Sequence, residues 1–175
     1  MAGLVLFGRD GKETGDIARR WVQAGYTAVK FGWEPMGTSE AVDIDLVRGA
    51  RDGAGETTLL IDAGCEFDYY ASDVTRTLPV GGRYGKRQRA VYEVVLEAQK
   101  AAIDKARAGG HWNDPHEAAV RAITPGLVRL GLLKGRTAKL IKDGAYRKFF
   151  MHRTGHWLGM DVHDVGEYKV GEQWR

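Results

Sequence analysis

Cysteine is almost absent from this sequence, which has one, Cys65, among 175 residues. A single thiol excludes an internal disulfide and is typical of a reducing compartment, so we expect a cytoplasmic protein. No apolar run approaches the roughly 18 residues that a membrane-spanning helix needs, and no signal-peptide pattern is present at the N-terminus. The sequence therefore predicts neither a membrane protein nor a secreted one.

A large excess of one charge is also missing, because 26 basic and 23 acidic side chains leave a net charge of +3. Without a dense basic run, nucleic acid is not a predicted partner. The composition is that of an ordinary globular protein, and a chain of this length can bury a sizeable core in one domain. A homo-oligomer is left open.

Short apolar runs alternate with amphipathic segments up to Asp62, which is the pattern of a parallel α/β unit. Gly25 is a plausible C-terminal stop for the first helix, and Ser39 a plausible N-cap for the second. The expected strands are residues 4–7, 27–31 and 58–62, and the expected helices are residues 14–24 and 39–53.

The pattern changes after Asp62, where antiparallel strands and then longer helices are expected. Pro125 is predicted to kink or interrupt one helix, because it has no N–H to donate. We therefore predict a mixed α/β (α+β) fold, with an antiparallel sheet packed on helices and a short βαβ-like segment before it. The expected strands are residues 67–71 and 74–77, and the expected helices are residues 86–108, 114–131 and 137–143.

Two aspartates, Asp62 and Asp73, flank the predicted antiparallel turn. A two-residue turn at Phe67 and Asp68 would pair residues whose numbers sum to 135 and would set the two carboxylates directly opposite each other. Like charges in opposed positions repel at Cβ separations of roughly 4.5–5.5 Å, so such a pair usually holds a cation. The alternative is a turn-forming Asp62 and a capping Asp73. Spacing alone leaves both interpretations open.

The segment from His152 to His163 contains three of the five histidines of the chain. Neutral imidazole is the commonest side-chain metal ligand, and its pKa suits proton transfer near neutral pH. The alternation of residues 161–164 predicts a strand in which Asp161 and His163 share a face. Three histidines this close together, with paired aspartates elsewhere, favour a metal-binding or catalytic role.

Five motifs between Leu59 and Gly166 match one known family in the same order along the chain. They are Leu60-Ile61-Asp62-Ala63-Gly64-Cys65-Glu66, Asp73-Val74-Thr75-Arg76-Thr77-Leu78-Pro79-Val80, Gly126-Leu127-Val128-Arg129-Leu130-Gly131, Phe149-Phe150-Met151-His152 and His156-Trp157-Leu158-Gly159-Met160-Asp161-Val162-His163-Asp164-Val165-Gly166. On these motifs the chain resembles aminopeptidase P, the Xaa-Pro aminopeptidase of the pita-bread metallopeptidase family. The resemblance implies a partial pita-bread fold.

The same resemblance assigns a role to each candidate site residue. It implies that Asp62 binds one metal ion, that Asp73 bridges two ions, and that His156 binds the second. His152 and His163 would contact substrate and stabilise the transition state without binding metal. The family removes an N-terminal residue that precedes proline, commonly with two Mn²⁺ that activate a bridging water. The implied partner is a peptide with proline in the second position, and Co²⁺ or Zn²⁺ are alternative metals.

Two further glutamate ligands that the family uses have no match, because Glu167 and Glu172 lie too close to the histidine segment. We therefore expect an impaired peptidase with one bound metal ion or none. The competing hypothesis is a catalytically inactive module that binds a metal or a partner weakly.

A second resemblance covers the start of the chain, in residues 4–8, 25–33 and 43–55. These segments resemble the barrel domain of enolase-superfamily (mandelate racemase-like) dehydratases and racemases. Lys30 would end the second barrel strand, and Asp62 would end the third and bind Mg²⁺, although Gly32 replaces the second lysine of the usual pair. The chain would then be a fusion of two fragments, 1–57 and 58–175. A dehydratase or racemase is the less favoured activity, because it needs a full barrel of ~250 residues.

Overall fold

The computed structural model describes residues 3–26, 28–32, 35–55 and 58–175. These residues form two compact units. The first unit contains the chain up to Gly85 together with Leu158–Asp164, and the second contains Lys86–Trp157 and Val165–Arg175. Within the described ranges, no helix is long and apolar enough to cross a membrane.

A mixed four-stranded sheet forms the centre of the first unit. The strands of this unit are β1 (Gly3–Leu6), β2 (Ala28–Gly32), β3 (Thr58–Ala63), β4 (Glu66–Phe67), β5 (Tyr70–Ala71) and β6 (Val74–Pro79). The sheet has the order β1-β2-β3-β6, and β4 pairs with β5 in a separate small hairpin. The first three strands are parallel, whereas β6 runs antiparallel to β3.

Two helices connect the parallel strands, α1 (Gly11–Gln23) and α2 (Glu40–Ala54). Each begins at a residue whose side chain accepts a backbone N–H of the first turn. Asp10 accepts from Glu13 at 2.8 Å, and Ser39 accepts from Val42 at 3.4 Å. Such caps satisfy donors that have no partner within the helix and stabilise its start.

The two helices approach each other closely enough to require glycine at the contact. A Cβ atom at Gly49 would lie 1.7 Å from the carbonyl oxygen of Gly11, and a Cβ at Gly53 would lie 2.1 Å from that of Gly15. Only a residue without a side chain fits such a distance. The glycines of α2 therefore set how closely α2 packs on α1.

The sheet presents an apolar face to these helices and a polar face on the other side. Val29, Phe31 and Leu59 are buried in a cluster with residues of both helices. Because side chains alternate along a strand, Lys30 and Asp62 point to the opposite face. The full cluster is Phe7, Ala18, Val29, Phe31, Leu46, Ala50, Ala54 and Leu59.

The second unit is helical, with two short strands near its end. Its elements are α3 (Lys86–Ile103), α4 (Asp114–Arg129), α5 (Thr137–Lys142), a 3₁₀ helix (Ala145–Lys148), β7 (Lys169–Val170) and β8 (Gln173–Trp174). The core lies mainly between α3 and α4 and consists of Val94, Ala98, Ala102, Ala119, Val120, Ile123, Leu127 and Tyr146.

The structure confirms the mixed α/β class and the alternation of strands and helices up to Asp62. Two predicted details were wrong. Helix α4 continues through Pro125, because the buried residues Ile123 and Leu127 on either side hold it against the core. Residues 161–163 form bends and Asp164 has no regular structure, so the predicted strand is absent here, and the Asp161 N–H donates to the Asp164 carboxylate at 3.3 Å.

The sequence predicted a domain boundary between residues 57 and 58, and this boundary stays a prediction. In the structure, β3 is an internal strand of the first unit, and the division between compact units falls after Gly85. Helix α3 also ends at Ile103, earlier than the predicted residue 108.

Candidate functional site

The chain turns one residue later after β4 than the sequence analysis predicted. Asp68 and Tyr69 form the turn, with φ values of 49° and 69°. Paired residue numbers therefore sum to 137, and Asp62 lies opposite Thr75 instead of Asp73. The prediction of directly opposed carboxylates was wrong, because the left-handed backbone of a two-residue turn falls on Asp68 and Tyr69, although neither is glycine.

The two aspartates are nevertheless neighbours on the polar face of the sheet. Asp73 directly precedes β6, one residue before the pair that Val74 forms with Ala63, and it lines the same cleft as Asp62. Asp73 is also one of the neighbours that lower the pKa of Asp62. Two neighbouring carboxylates repel each other, and a bound cation would relieve this repulsion.

Asp62 also contacts two groups that stabilise its ionised form. The Lys30 ammonium lies 2.5 Å from Oδ2, and the Thr75 hydroxyl donates to Oδ1 at 2.5 Å. Partial burial raises the pKa of Asp62, but the hydrogen bonds from Lys30 and Thr75 and the charge of Lys30 outweigh it. The net result is a pKa below the usual range, so Asp62 is a carboxylate at neutral pH.

This lowered pKa predicts an acid-dependent loss of stability. Because the folded-state pKa of Asp62 lies below its unfolded value of 3.8, the ionised carboxylate stabilises the fold above that pH. The contribution is lost as the pH falls through the folded-state pKa. As the pH is lowered from about 5 to about 3, the urea concentration at the unfolding midpoint should decrease. We expect a larger decrease in the wild type than in Asp62→Asn.

Asp52→Asn is the matched control for this measurement. Asp52 is an exposed aspartate whose partner is its neighbour Arg51. The Asp52→Asn variant should show the same pH dependence of the urea midpoint as the wild type. Equal acid sensitivity of the wild type and Asp62→Asn would show that the contacts of Asp62 do not stabilise the fold.

A cleft of about 460 Å³ opens beside the carboxylate pair. It lies entirely within the first unit, and His163 lines it together with Asp62 and Asp73. Three of the five predicted site residues are therefore brought together. The other lining residues are Gly32, Met36, Gly37, Asp43, Ala63, Gly64, Cys65, Ser72 and Val162.

The donor chemistry of this cleft fits one divalent cation held by two carboxylates. Oxygen ligands of this kind suit hard or borderline ions such as Mg²⁺ and Mn²⁺. Among the residues that the structure describes, no group of three or more His, Cys, Asp or Glu side chains is arranged around a common point. The described ligands therefore do not complete a two-metal centre.

The remaining two site residues, His152 and His156, lie in the second unit. His152 is exposed. The Nδ1–H of His156 donates to the carbonyl oxygen of Trp157 at 2.8 Å, which puts the ring lone pair on Nε2. Metal-binding histidines commonly donate their second ring nitrogen in this way. The tautomer of His156 therefore agrees with its predicted role as a ligand.

Two side chains that contact Asp62 were not predicted to do so. They belong to Lys30 and Thr75. Thr75 was missed because the turn had been placed one residue too early. Lys30 could have been found, because parallel pairing of residues 27–31 with 58–62 brings the ends of both predicted strands together.

The chain matches the model of metallopeptidase family M24 over residues 47–173. A Xaa-Pro aminopeptidase of Haemophilus influenzae is 52% identical over 115 residues, which are 66% of this chain and 27% of that protein. One of Escherichia coli is 48% identical over 118 residues, which are 67% of this chain and 26% of that protein. The chain thus spans about a quarter of the length of these curated relatives.

The solved structures that this chain resembles are also aminopeptidases, again matched over part of their length. Pseudomonas aeruginosa aminopeptidase PepP is 64% identical with a TM-score of 0.65, and the match covers 67% of this chain and 27% of that one. Zinc-substituted Escherichia coli aminopeptidase P in complex with product is 46% identical with a TM-score of 0.63, with the same coverage. The predicted partial pita-bread fold is confirmed.

The comparisons give no support to the predicted enolase-superfamily resemblance of residues 1–57 or to a fusion of two fragments. The family match instead begins within α2 and includes Asp62, Asp73 and the histidine segment. A metallopeptidase family implies a divalent metal cofactor. This chain therefore belongs to metallopeptidase family M24.

Proposed function

We propose that this chain carries part of the active site of a manganese-dependent Xaa-Pro aminopeptidase. Its substrate is a peptide with proline in the second position, from which the N-terminal residue is removed. The observation that carries the proposal is that Asp62, Asp73 and His163 line one cleft. The names of the relatives support the reaction, and the charge of the pair supports the metal.

A divalent ion held by Asp62 and Asp73 would lower the pKa of a bound water and so would supply a nucleophile for peptide hydrolysis. In this proposal Asp62 and Asp73 would hold the metal, and the family resemblance predicts that His156 is a further ligand. His163 lines the cleft and donates a hydrogen bond to the oxygen that becomes negatively charged during attack. His152 contacts the substrate.

Calorimetric titration with MnCl₂ and a hydrolysis assay on an Ala-Pro dipeptide test the proposal together. We expect Mn²⁺ binding and release of free alanine that depends on added Mn²⁺. Parallel titrations with Co²⁺ and Zn²⁺ identify the preferred ion. Absence of Mn²⁺-dependent hydrolysis would overturn the proposed peptidase activity.

Replacement of Asp73 separates the metal-binding role of this residue from a structural one. In Asp73→Asn, repulsion between two carboxylates is replaced by an amide that donates to Asp62. Without metal the melting temperature should rise by roughly 2–4 °C, the shift for about 1 kcal/mol in a chain of this size. The rise on addition of Mn²⁺ should be lost, whereas Asp52→Asn should retain it. A lower melting temperature of metal-free Asp73→Asn would identify Asp73 as a structural cap.

The second candidate function is a catalytically inactive module that binds metal or a partner weakly. The ion pair between Lys30 and Asp62 favours it, because a positive charge already contacts one predicted ligand. Binding of Mn²⁺ without any hydrolysis of Ala-Pro would favour this candidate over the peptidase.

The proposed peptidase is cytoplasmic and acts on peptides, without nucleic acid or membrane partners. The small net charge supports this, and so does the exposed thiol of Cys65, which stays reduced most readily in a reducing compartment. A homo-oligomer stays a prediction that light scattering can test.

A further inference from the structure

A lysine of this chain contacts the carboxylate that is proposed to bind metal. The Nζ atom of Lys30 lies 2.5 Å from Oδ2 of Asp62. Both side chains are largely shielded from solvent, with 31% and 27% of their surfaces exposed. Such shielding reduces screening by salt, so this pair interacts more strongly than an exposed one. Lys30 also lies outside residues 47–173, which the family model matches.

The register of the parallel strands explains how Lys30 reaches Asp62. Gly32 of β2 is aligned with Asp62 of β3, so Lys30 lies diagonally across the pair, two positions back and on the same face. A long side chain spans a diagonal of roughly 7–8 Å. Because Gly32 has no side chain, nothing at that position separates the ammonium of Lys30 from the carboxylate.

The charge of Lys30 opposes a metal ion at the same carboxylate. Asp62 has about four lone-pair sites, so the hydrogen bond from Thr75 and a metal ion can both be accommodated. An ammonium group at Oδ2 differs from that hydroxyl, because it repels a divalent cation and already neutralises the ligand. The two contacts of Asp62 are therefore predicted to differ in their effect on metal binding.

We propose that Lys30 is an internal competitor for the metal site, whose ammonium must leave Asp62 before a divalent ion binds there. Lys30 thereby lowers the affinity of the carboxylate pair for metal. The proposal rests on the proposed function of Asp62 as a metal ligand. It predicts that this chain binds metal more weakly than its two carboxylates alone would.

Calorimetric titration of purified variants with MnCl₂ tests the proposal without any activity assay. We expect Lys30→Met, which keeps most of the side-chain volume, to bind Mn²⁺ roughly tenfold or more tightly than the wild type, as removal of a charge in contact with the ligand allows. Lys12→Met removes an equal charge from an exposed position on α1 and should leave the affinity unchanged. Thr75→Val removes the neutral hydrogen bond and should change the affinity by much less than Lys30→Met does.

Circular dichroism checks that each variant is folded. If Lys30→Met does not fold, Lys30→Gln takes its place, because glutamine keeps a hydrogen-bond donor. Mn²⁺ binding that appears only when Lys30 is replaced would also support the proposal. Equal affinities of the wild type and the Lys30 variant would overturn it and leave the metal site intact. Absence of binding in both proteins would overturn this proposal and the proposed metal site together.

Discussion

In a version of this protein completed with the two missing glutamate ligands, replacement of His163 by alanine is expected to reduce the turnover of an Xaa-Pro peptide by roughly 10²–10³, the range for loss of one donor to a developing oxyanion. His163 lines the cleft that also contains Asp62 and Asp73. A donor that acts mainly on the transition state lowers kcat far more than it raises KM. The bound metal, measured by elemental analysis, should be unchanged in His163→Ala.

His156→Ala is the informative comparison, because His156 is proposed to bind metal. That variant should lose bound metal as well as activity. His111→Ala serves as the control, since His111 lies in the second unit and has no proposed role in the reaction. A metal-depleted His163→Ala beside a fully loaded His156→Ala would reverse the two assignments.

Phe31→Ala should cause the largest loss of stability in the first unit. Phe31 is fully buried on β2 and stacks on Phe7 with ring centroids 5.1 Å apart. Truncation of a buried phenylalanine removes its transfer free energy and leaves a cavity, at a cost of about 3–5 kcal/mol. Urea denaturation followed by circular dichroism measures this difference.

Phe67→Ala is the matched control, because the same atoms are removed from a side chain that is 79% exposed. Its effect should lie within about 0.5 kcal/mol of zero. If both variants are destabilised equally, the apolar face of the sheet is not the principal core of this unit.

The polar face of the same sheet depends on this core for its geometry. Val29, Phe31 and Leu59 fix β2 and β3 against α1 and α2. Residues at alternate positions, Lys30 and Asp62, are then held on the other face. A substitution that loosens the core is therefore also expected to alter the contact between the ammonium and the carboxylate.

The amino-acid sequence by itself determined the types of element and indicated candidate residues for the site. Apolar periodicity and capping residues are local signals, so the strands and helices up to Asp62 could be predicted from short windows. The motifs around Asp62, Asp73 and His163 likewise identified the three residues that line one cleft. Each motif consists of residues that are close together in the chain, whereas their meeting in one cleft depends on the tertiary structure.

Only the tertiary structure decided which groups contact Asp62. A shift of the turn by one residue placed Thr75 opposite this aspartate and left Asp73 just before the paired residues of β6. The contact with Lys30 depends on the register of two parallel strands that a whole helix separates in sequence. Turn position and strand register are set by pairing and core packing across the unit, and short windows of sequence contain little information about either.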